Sequence, residues 1–202
     1  MDLNLEPDLQ KLCDSIHQFE RRGWTPATSS NFSMRNPHQP SEIFISQSGL
    51  DKQNISPNDF MIIDLQGKSV NPNLKSSAET ALHTMIYENS NSQCVLHVHS
   101  LASTSLSLIY ASKSGVIFEN LEILKAFEGI KTHQTSFTLP IFPNSQNIEE
   151  LAHKIKSKIN FGKDFGFLLE GHGLYTWGKS ISEAKKHLEA FEFCSEIKLR
   201  LR

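Results

Sequence analysis

The sequence predicts an α/β protein in which helices cover a sheet. Several segments repeat their apolar residues at helical spacing, short β-rich runs lie between them, and a strand–bend–strand pattern precedes the last helix. The chain has 202 residues, of which 38% are hydrophobic, and these values are typical of one ordinary globular domain. We therefore expect a single domain that spans residues 1–202.

The N-terminal half begins with an amphipathic helix and continues with strands. Apolar residues recur at helical spacing up to Gly23, which ends the first helix. Residues 43–46 and 61–65 are short β-rich runs separated by a stretch typical of turns, and both predict strands. Residues 77–88 then predict a helix, and the apolar run 95–99 predicts a further strand.

The C-terminal half adds two helices around a pair of strands. Residues 148–159 have the spacing of an amphipathic helix. Residues 165–177 form two apolar runs on either side of Gly171–His172–Gly173, which predicts a strand, a sharp bend and a second strand. Ser180 and Glu183 have the spacing of a capping box, which indicates the start of the last helix.

The charge balance argues against nucleic acid and membranes as partners. The chain has 20 Lys and Arg residues against 22 Asp and Glu residues, so its net charge of −2 creates no basic field for phosphate backbones or anionic bilayers. The N-terminus is acidic where a secretion signal would be basic and then apolar, and no apolar run approaches the roughly 18 residues of a membrane span. We expect a cytoplasmic protein that binds neither nucleic acid nor membranes.

Histidine is the residue type that stands out, with nine copies beside three cysteines. The cysteines have no paired spacing, so they predict neither a disulfide framework nor a thiolate zinc site. In the strand predicted at 95–99, alternation sends Leu96 and Val98 to one face and His97 and His99 to the other. Two imidazoles at this spacing can converge on one metal ion.

His172 is the best candidate for a third ligand, because glycines on both sides permit an unusual bend and remove side-chain bulk. An isolated His-x-His pair also arises by chance, so its spacing leaves an ordinary structural role open. Three imidazoles without a thiolate would leave a zinc ion one open position, which indicates catalysis rather than structure. Of the remaining histidines, His83 is the better candidate for a residue that supports such a site.

Glu79 and Glu122 are the candidate acid and base groups beside such a metal. Glu79 lies three residues after Ser76, so it would otherwise complete a capping box. Glu122 lies in an apolar run, where a carboxylate is either on the solvated face of a helix or in a pocket that raises its pKa. The sequence pattern leaves both alternatives open.

Three turns rich in small hydroxyls, glycine and asparagine could bind a phosphate group through backbone amides, hydroxyls and a lysine. The candidate residues in these turns are Asn31, Ser48, Gly49, Lys75, Ser76 and Ser77. Neither a Walker sequence nor a Gly-x-Gly-x-x-Gly motif is present, so the sequence does not favour nucleotide binding.

Six segments can now be considered together. They are Gly23–Ser29, Asn31–Ser33, Ser48–Lys52, Ser77–Thr80, His97–Ser100 and Gly171–Gly178. With their spacing they resemble the class II aldolase/adducin family along nearly the whole chain. The GWTPATS and HGLYTWG sequences within them favour the dehydratases of that family over its aldolases.

The resemblance implies a three-layer α/β/α sandwich with a central, mostly antiparallel sheet, assembled as a homotetramer. It implies one Zn²⁺ per subunit, held by His97, His99 and His172. Glu122 matches the acid/base glutamate of the dehydratases, and Glu79 matches a carboxylate that aldolase relatives use near the metal.

The resemblance also implies that the three hydroxyl-rich turns hold the phosphate group of a substrate. Two residues depart from the family pattern there, because Ser30 replaces a glycine and Ser76 stands where a proline is common.

The activity that the resemblance implies is zinc-dependent dehydration of 5-methylthioribulose 1-phosphate to 5-methylthio-2,3-dioxopentyl phosphate, a hydro-lyase reaction of methionine salvage. Two alternatives stay open. One is a class II sugar-phosphate aldolase or epimerase that acts through a zinc enediolate, and the other is a non-catalytic, adducin-like binding module.

Overall fold

The computed structural model describes residues 6–74 and 76–202. Within these ranges the α-helices are α1 (Glu6–Arg21), α2 (Thr80–Asn89), α3 (Leu101–Ile109), α4 (Ile148–Lys156) and α5 (Ile181–Arg200). The strands are β1 (Asn31–Arg35), β2 (Glu42–Ser46), β3 (Phe60–Asp64), β4 (Cys94–Val98), β5 (Gly115–Glu119), β6 (Ser136–Phe142), β7 (Gly166–Leu169) and β8 (Gly173–Gly178). Every helix and strand predicted above is present, and β1, α3, β5 and β6 are additional.

The strands of the described residues form one sheet in the order β3-β2-β1-β4-β8-β7-β6-β5. Neighbouring strands run antiparallel, except that β6 and β7 are parallel. The antiparallel β4 and β8 lie at the middle of this sheet, with β1 on the other side of β4. The prediction of a central, mostly antiparallel sheet is therefore confirmed.

Helices cover both faces of the sheet. One apolar core contains the buried side of α1 together with residues of α3 and α5. A second apolar core contains residues of α2 and α4, which pack against each other. The three-layer arrangement implied by the family resemblance is thus confirmed.

β4 separates the two cores and leads to the first candidate ligands. Leu96 and Val98 pack into the core beneath α1, α3 and α5, whereas Val95 packs into the core beneath α2 and α4. His97 pairs with Asn31 of β1 on one side and with Tyr175 of β8 on the other. The alternation along β4 is therefore the one that the sequence predicts.

α2 begins at Thr80 rather than at about Ser77. The Ser77 hydroxyl accepts a hydrogen bond from the Glu79 amide, and the Ser77 carbonyl accepts one from the Thr80 hydroxyl. This turn replaces the first turn of the predicted helix. Glu79 stands at the N-cap position, but its carboxylate makes no capping bond within the described residues. The capping-box alternative for Glu79 is therefore wrong.

All three cysteines are buried free thiols, as expected for small core residues. None of the helices in the described part of the chain is both long enough and apolar enough to cross a membrane.

Candidate metal centre

Three histidines from distant parts of the chain meet at one end of the sheet. His97 lies near the end of β4, His99 follows that strand directly, and His172 lies in the bend between β7 and β8. One nitrogen atom of each imidazole lies within 4.8 Å of the other two. The fold thus brings together all three predicted metal ligands.

The ring of His97 is held by a hydrogen bond and by stacking. Its Nδ1 donates to the backbone carbonyl of Leu174 at 3.1 Å, and the ring stacks on Tyr175 with centroids 3.9 Å apart. Because a carbonyl only accepts, Nδ1 carries the proton and Nε2 of the neutral ring keeps its lone pair. This Nε2 lies 2.7 Å from Nε2 of His99.

Two glycines explain how His172 reaches the other histidines. Gly171 has a φ of +64°, a left-handed conformation that glycine adopts without strain. A Cβ atom on Gly173 would lie 2.2 Å from the Val98 carbonyl oxygen and 3.0 Å from the ring of His97. The first glycine makes the bend, and the second lets β8 approach β4, as the sequence predicts.

Two of the three histidines, His97 and His99, are neutral donors. Burial lowers the pKa of His97 well below its ordinary value and that of His99 to about 4. Nε2 of His172 lies 2.9 Å from a Glu79 oxygen, and its buried Nδ1 has no hydrogen-bond partner among the described residues. Neutral imidazoles that converge in this way are suitable ligands for a divalent transition metal. These three residues could therefore hold a metal ion.

The Glu79 carboxylate lies against this cluster and is only 13% exposed. One oxygen accepts a hydrogen bond from Asn31 Nδ2 at 2.6 Å and lies 3.5 Å from His97 Nε2. Burial opposes ionisation, but His97 and the hydrogen bonds from His172 and Asn31 outweigh burial and hold the pKa of Glu79 well below its ordinary value. An ionised carboxylate therefore stands beside the candidate ligands.

A cavity of about 170 Å³ opens beside the cluster. Its lining residues are Thr28, Ser29, Ser30, Asn31, Gln47, Ser48, Gly49, Ser77, Glu79, His99 and His172. Four of the predicted phosphate-binding residues therefore share one cavity with His99 and His172. Ser76 is absent from that lining as far as the described residues define it. Lys75 lies outside the described residues.

The model of the Class II Aldolase and Adducin N-terminal domain matches residues 10–199 of this chain. The match covers nearly the whole sequence. The chain belongs to the class II aldolase and adducin family.

Curated relatives within this family are similar over nearly their full length. A protein from Xanthomonas campestris pv. campestris named methylthioribulose-1-phosphate dehydratase is 43% identical over 95% of this chain and 88% of its own length. A protein of the same name from Picosynechococcus sp. is 40% identical over 98% of this chain and 94% of its own length.

Solved structures of class II aldolase proteins share the fold. An aldolase II superfamily protein from Pseudomonas syringae superposes with a TM-score of 0.80 at 21% identity, over 100% of this chain and 78% of that one. The l-fuculose-1-phosphate aldolase from Thermus thermophilus superposes with a TM-score of 0.76 at 21% identity, over 96% and 93% of the two chains.

Glu122, the other candidate acid or base group, does not line the cavity in the described part of this chain. It begins a short 3₁₀ helix that packs against α5, and its side chain is 69% exposed. Its carboxylate accepts a hydrogen bond from Lys125 at 2.5 Å and lies 3.6 Å from His133. The hydrogen bond from Lys125 lowers the pKa of Glu122. In the single chain the Glu122 carboxylate is therefore solvated.

The loop before β1 carries backbone strain at the cavity. Ala27, Thr28 and Ser30 have φ values of 52°, 60° and 77°. Residues other than glycine adopt this left-handed region at a cost of roughly 1–2 kcal/mol each. Glycine, which the family resemblance implies at position 30, would adopt the φ of Ser30 without strain. Strain of this kind is concentrated at functional sites in many proteins.

Lys52 is a residue near the site that sequence reasoning missed. It is 1% exposed, and its ammonium group donates to the carbonyls of Thr28 and Leu50 at 3.2 and 2.8 Å. It thereby joins two of the three turns around the cavity. The sequence feature that could have identified Lys52 is its place in the Ser48–Lys52 segment, which carries part of the family resemblance.

A larger cavity, of about 500 Å³, lies near the opposite end of β8. Trp177, Gly178 and His187 are among its lining residues. It contains none of the predicted site residues, so its size does not make it the functional site.

Proposed function

We propose that this protein is a methylthioribulose-1-phosphate dehydratase, a hydro-lyase that forms 5-methylthio-2,3-dioxopentyl phosphate in methionine salvage. The convergence of three imidazoles and one ionised carboxylate beside a cavity carries the proposal. Support comes from the identity of 43% to a relative of that name. In this proposal residues 1–202 act as one domain, and the enzyme works in the cytoplasm.

His97, His99 and His172 hold one zinc ion per subunit in this proposal. Their nitrogens leave a position open to the cavity, since three protein ligands do not complete a tetrahedral zinc site. Zinc, when bound, supplies a Lewis acid for the C2 carbonyl oxygen of the substrate.

The phosphate group of the substrate lies against the turns that surround the cavity. Backbone amides, hydroxyls and a side-chain amide donate hydrogen bonds to its oxygens. The residues proposed for this role are Asn31, Ser48, Gly49, Lys75, Ser76 and Ser77. The buried cation of Lys52 supports them, because it holds two of these turns together.

Two carboxylates, Glu122 and Glu79, complete the proposed site. Glu122 removes the proton from C3, the electron pair of that bond forms a C2–C3 double bond, and the π pair of the C2 carbonyl moves onto its oxygen. That pair then re-forms the C2 carbonyl, the C2–C3 pair becomes a C3–C4 double bond, and the C4 hydroxyl leaves as water with a proton from a carboxylic acid. The resulting C3 enol becomes the second ketone. Glu79 stays ionised beside the histidines and accepts a hydrogen bond from Asn31.

Because Glu122 is exposed and does not line the cavity of its own chain, we propose that it serves the cavity of a neighbouring subunit in the proposed homotetramer. Leu101 and Leu108 on α3 are large apolar side chains that are 83% and 58% exposed, and Ile123 beside Glu122 is 36% exposed. Exposed apolar groups next to a functional region are typical of subunit interfaces.

An assay of 5-methylthioribulose 1-phosphate beside L-fuculose 1-phosphate, with and without a chelator, tests the proposed activity. We expect turnover of the methylthio sugar alone, a product lighter by one water in mass spectrometry, and loss of turnover with the chelator. Two carbon fragments would instead identify an aldolase. Purified protein without bound zinc and without turnover would identify a non-catalytic binding module.

Glu122→Gln tests the proton carrier. We expect this variant to lose turnover while its zinc content and circular dichroism spectrum match those of the unchanged protein. Normal turnover would remove Glu122 from the reaction.

Mixing two inactive variants tests the neighbouring-subunit role. Subunits with Glu122→Gln keep their histidines, and subunits with His172→Ala keep Glu122. After reassembly, mixed tetramers should regain part of the activity, because some sites then receive both intact groups. Reassembled tetramers of mixed composition that stay inactive would contradict the shared site.

A further inference from the structure

A group of polar side chains lies behind Glu79, between α2 and β1. Asn31, Ser33, His83 and Tyr87 are each at most 6% exposed. Buried polar groups are costly unless they are hydrogen-bonded, so a buried series of this kind needs complete pairing. Of these four residues, the proposed reaction uses only Asn31.

The four side chains form a continuous chain of hydrogen bonds that ends on Glu79. The Tyr87 hydroxyl lies 2.9 Å from the Ser33 hydroxyl, which lies 2.7 Å from Nδ1 of His83. Nε2 of His83 is hydrogen-bonded to Oδ1 of Asn31. Nδ2 of Asn31 donates to Glu79 at 2.6 Å.

The chemistry of each group fixes the direction of this chain. The Asn31 amide turns its NH₂ group to Glu79, because a carboxyl oxygen there accepts the bond from Nδ2. Oδ1 of Asn31 only accepts, so Nε2 of His83 carries a proton. Burial lowers the pKa of His83 to about 4, so the ring is neutral and its Nδ1 accepts from Ser33. Ser33 then accepts from Tyr87, and every bond donates toward Glu79.

Two simple periodicities place these residues. A spacing of four residues separates Glu79 from His83 and His83 from Tyr87. The three side chains therefore lie on one face of α2, with Glu79 at its N-cap position. Asn31 and Ser33 are two residues apart on β1, which puts them on one face of the sheet. The chain of hydrogen bonds is thus the contact between one helix face and one strand face.

We propose that His83 is a positioning residue that holds the Asn31 amide in the one orientation in which its NH₂ group faces Glu79. A flipped or displaced Asn31 would present its carbonyl to Glu79 and would turn its donors away from the cavity. This inference deepens the proposed function and rests on it, because Glu79 and Asn31 are taken to act on the substrate.

His83→Phe is the main variant, and its effect on turnover is measured by steady-state kinetics. It keeps a ring of similar size against Tyr175 but removes both hydrogen bonds. We expect kcat to fall by about 10- to 100-fold, a range typical for loss of a group that orients a metal-site residue, at unchanged zinc content. The matched control, Tyr87→Phe, removes only the far end of the chain and should leave kcat near that of the unchanged protein.

A double-mutant cycle distinguishes positioning from general destabilisation. If His83 acts through Asn31, then His83→Phe should have almost no further effect on kcat in an Asn31→Ala background. Additive losses in the double variant, or an equal loss of kcat in Tyr87→Phe, would overturn the proposal.

NMR of ¹⁵N-labelled histidines provides a test that does not depend on turnover or on a variant that folds. In the unchanged protein at neutral pH we expect His83 as a neutral ring with its proton on Nε2. A proton on Nδ1 would overturn the proposal. If His83 has the expected tautomer but the methylthio sugar is not dehydrated, then the proposed function fails while the hydrogen-bond chain stands.

Discussion

Two buried carboxyl groups lie on opposite faces of the sheet, and their surroundings differ. Glu79, on the α2 face, accepts hydrogen bonds from Asn31 and from His172. Glu192, on α5, is 1% exposed and accepts a hydrogen bond from Ser100, the residue after His99. Its other oxygen has no hydrogen-bond partner within residues 6–74 and 76–202.

The polar surroundings decide the charge of each group. His97 and the hydrogen bonds from His172 and Asn31 hold the pKa of Glu79 well below the ordinary value in spite of burial. At Glu192 no histidine of the described residues contributes, and burial outweighs the hydrogen bonds from Ser100 and Ser103 and raises the pKa to about 7. Burial alone therefore does not make a carboxyl group a catalytic base, because its polar neighbours select the protonation state.

The largest expected effect concerns turnover. Glu79→Gln removes the charge beside the histidines but keeps the shape of the side chain, so we expect kcat to fall by at least about 100-fold, the lower range for loss of one electrostatic group at a reacting centre. Glu192→Gln should leave kcat close to that of the unchanged protein. Steady-state kinetics with zinc content measured on the same samples checks both values. Equal losses of kcat in the two variants would contradict a functional difference between the two carboxyl groups.

The second expected effect is a pH dependence of stability that comes from Glu192. The folded state keeps the proton up to about pH 7, whereas the unfolded chain loses it near 4.5. Between these values the folded state binds more protons, so the free energy of unfolding falls as the pH rises, by up to about 1.4 kcal/mol per pH unit. The stabilisation that Glu192 contributes is fully present below its pKa of 4.5 in the unfolded chain. It is lost above its pKa of about 7 in the folded protein.

Urea unfolding from about pH 4.5 to about pH 8 measures this slope. Glu192→Gln is the matched control, because the histidines contribute equally to both proteins. The difference in unfolding free energy between the two should change across this range. A constant difference would show that Glu192 has an ordinary pKa.

The third prediction compares the serines beside the two carboxyl groups. Ser100 caps α3 by accepting from the Ser103 amide at 3.0 Å and also donates to Glu192. Ser100→Ala should lower the free energy of unfolding by about 2 kcal/mol, since it removes a cap and a buried hydrogen bond. Ser77→Ala, at a half-buried position beside Glu79, should cost less. Urea unfolding of the chelator-treated proteins checks this order, and a larger loss for Ser77→Ala would reverse it.

The smallest expected effect is on the backbone beside Glu79. Ser30→Gly relieves a φ of 77° but adds freedom to the unfolded chain, so we expect a gain in stability of at most about 1 kcal/mol. Ser29→Gly is the control, because the φ of Ser29 is −66° and its replacement should destabilise the protein. Thermal unfolding of both variants measures these changes. A loss of stability in Ser30→Gly would mean that the Ser30 side chain contributes more than its strain costs.

Regular periodicity made most of the fold predictable. Apolar residues such as Leu12 and Ile16 repeat at helical spacing on α1, and alternation on β4 assigned its faces correctly. α3 was not predicted because its nine residues include three serines and one threonine, which favour helices weakly. It forms where Ser100 caps it and α5 packs against it, and local sequence does not encode that packing.

The site was predictable where residue types alone define the chemistry. The spacing of His97 and His99, with a glycine-flanked His172, indicated a metal centre. The partners of Glu79 were not predictable, because Asn31 is 48 residues away and meets it only through pairing of distant elements. The solvated position of Glu122 likewise depends on packing against α5.

The close approach at Gly173 has a thermodynamic consequence for metal capture. The Val98 carbonyl and the His97 ring fill the space where a side chain would stand, so β4 and the bend that carries His172 have little room to move apart. The Leu174 carbonyl already fixes the ring of His97. The conformational entropy of two ligands is therefore lost when the chain folds rather than when the ion arrives, and we expect a preorganised centre that binds its metal with little structural change.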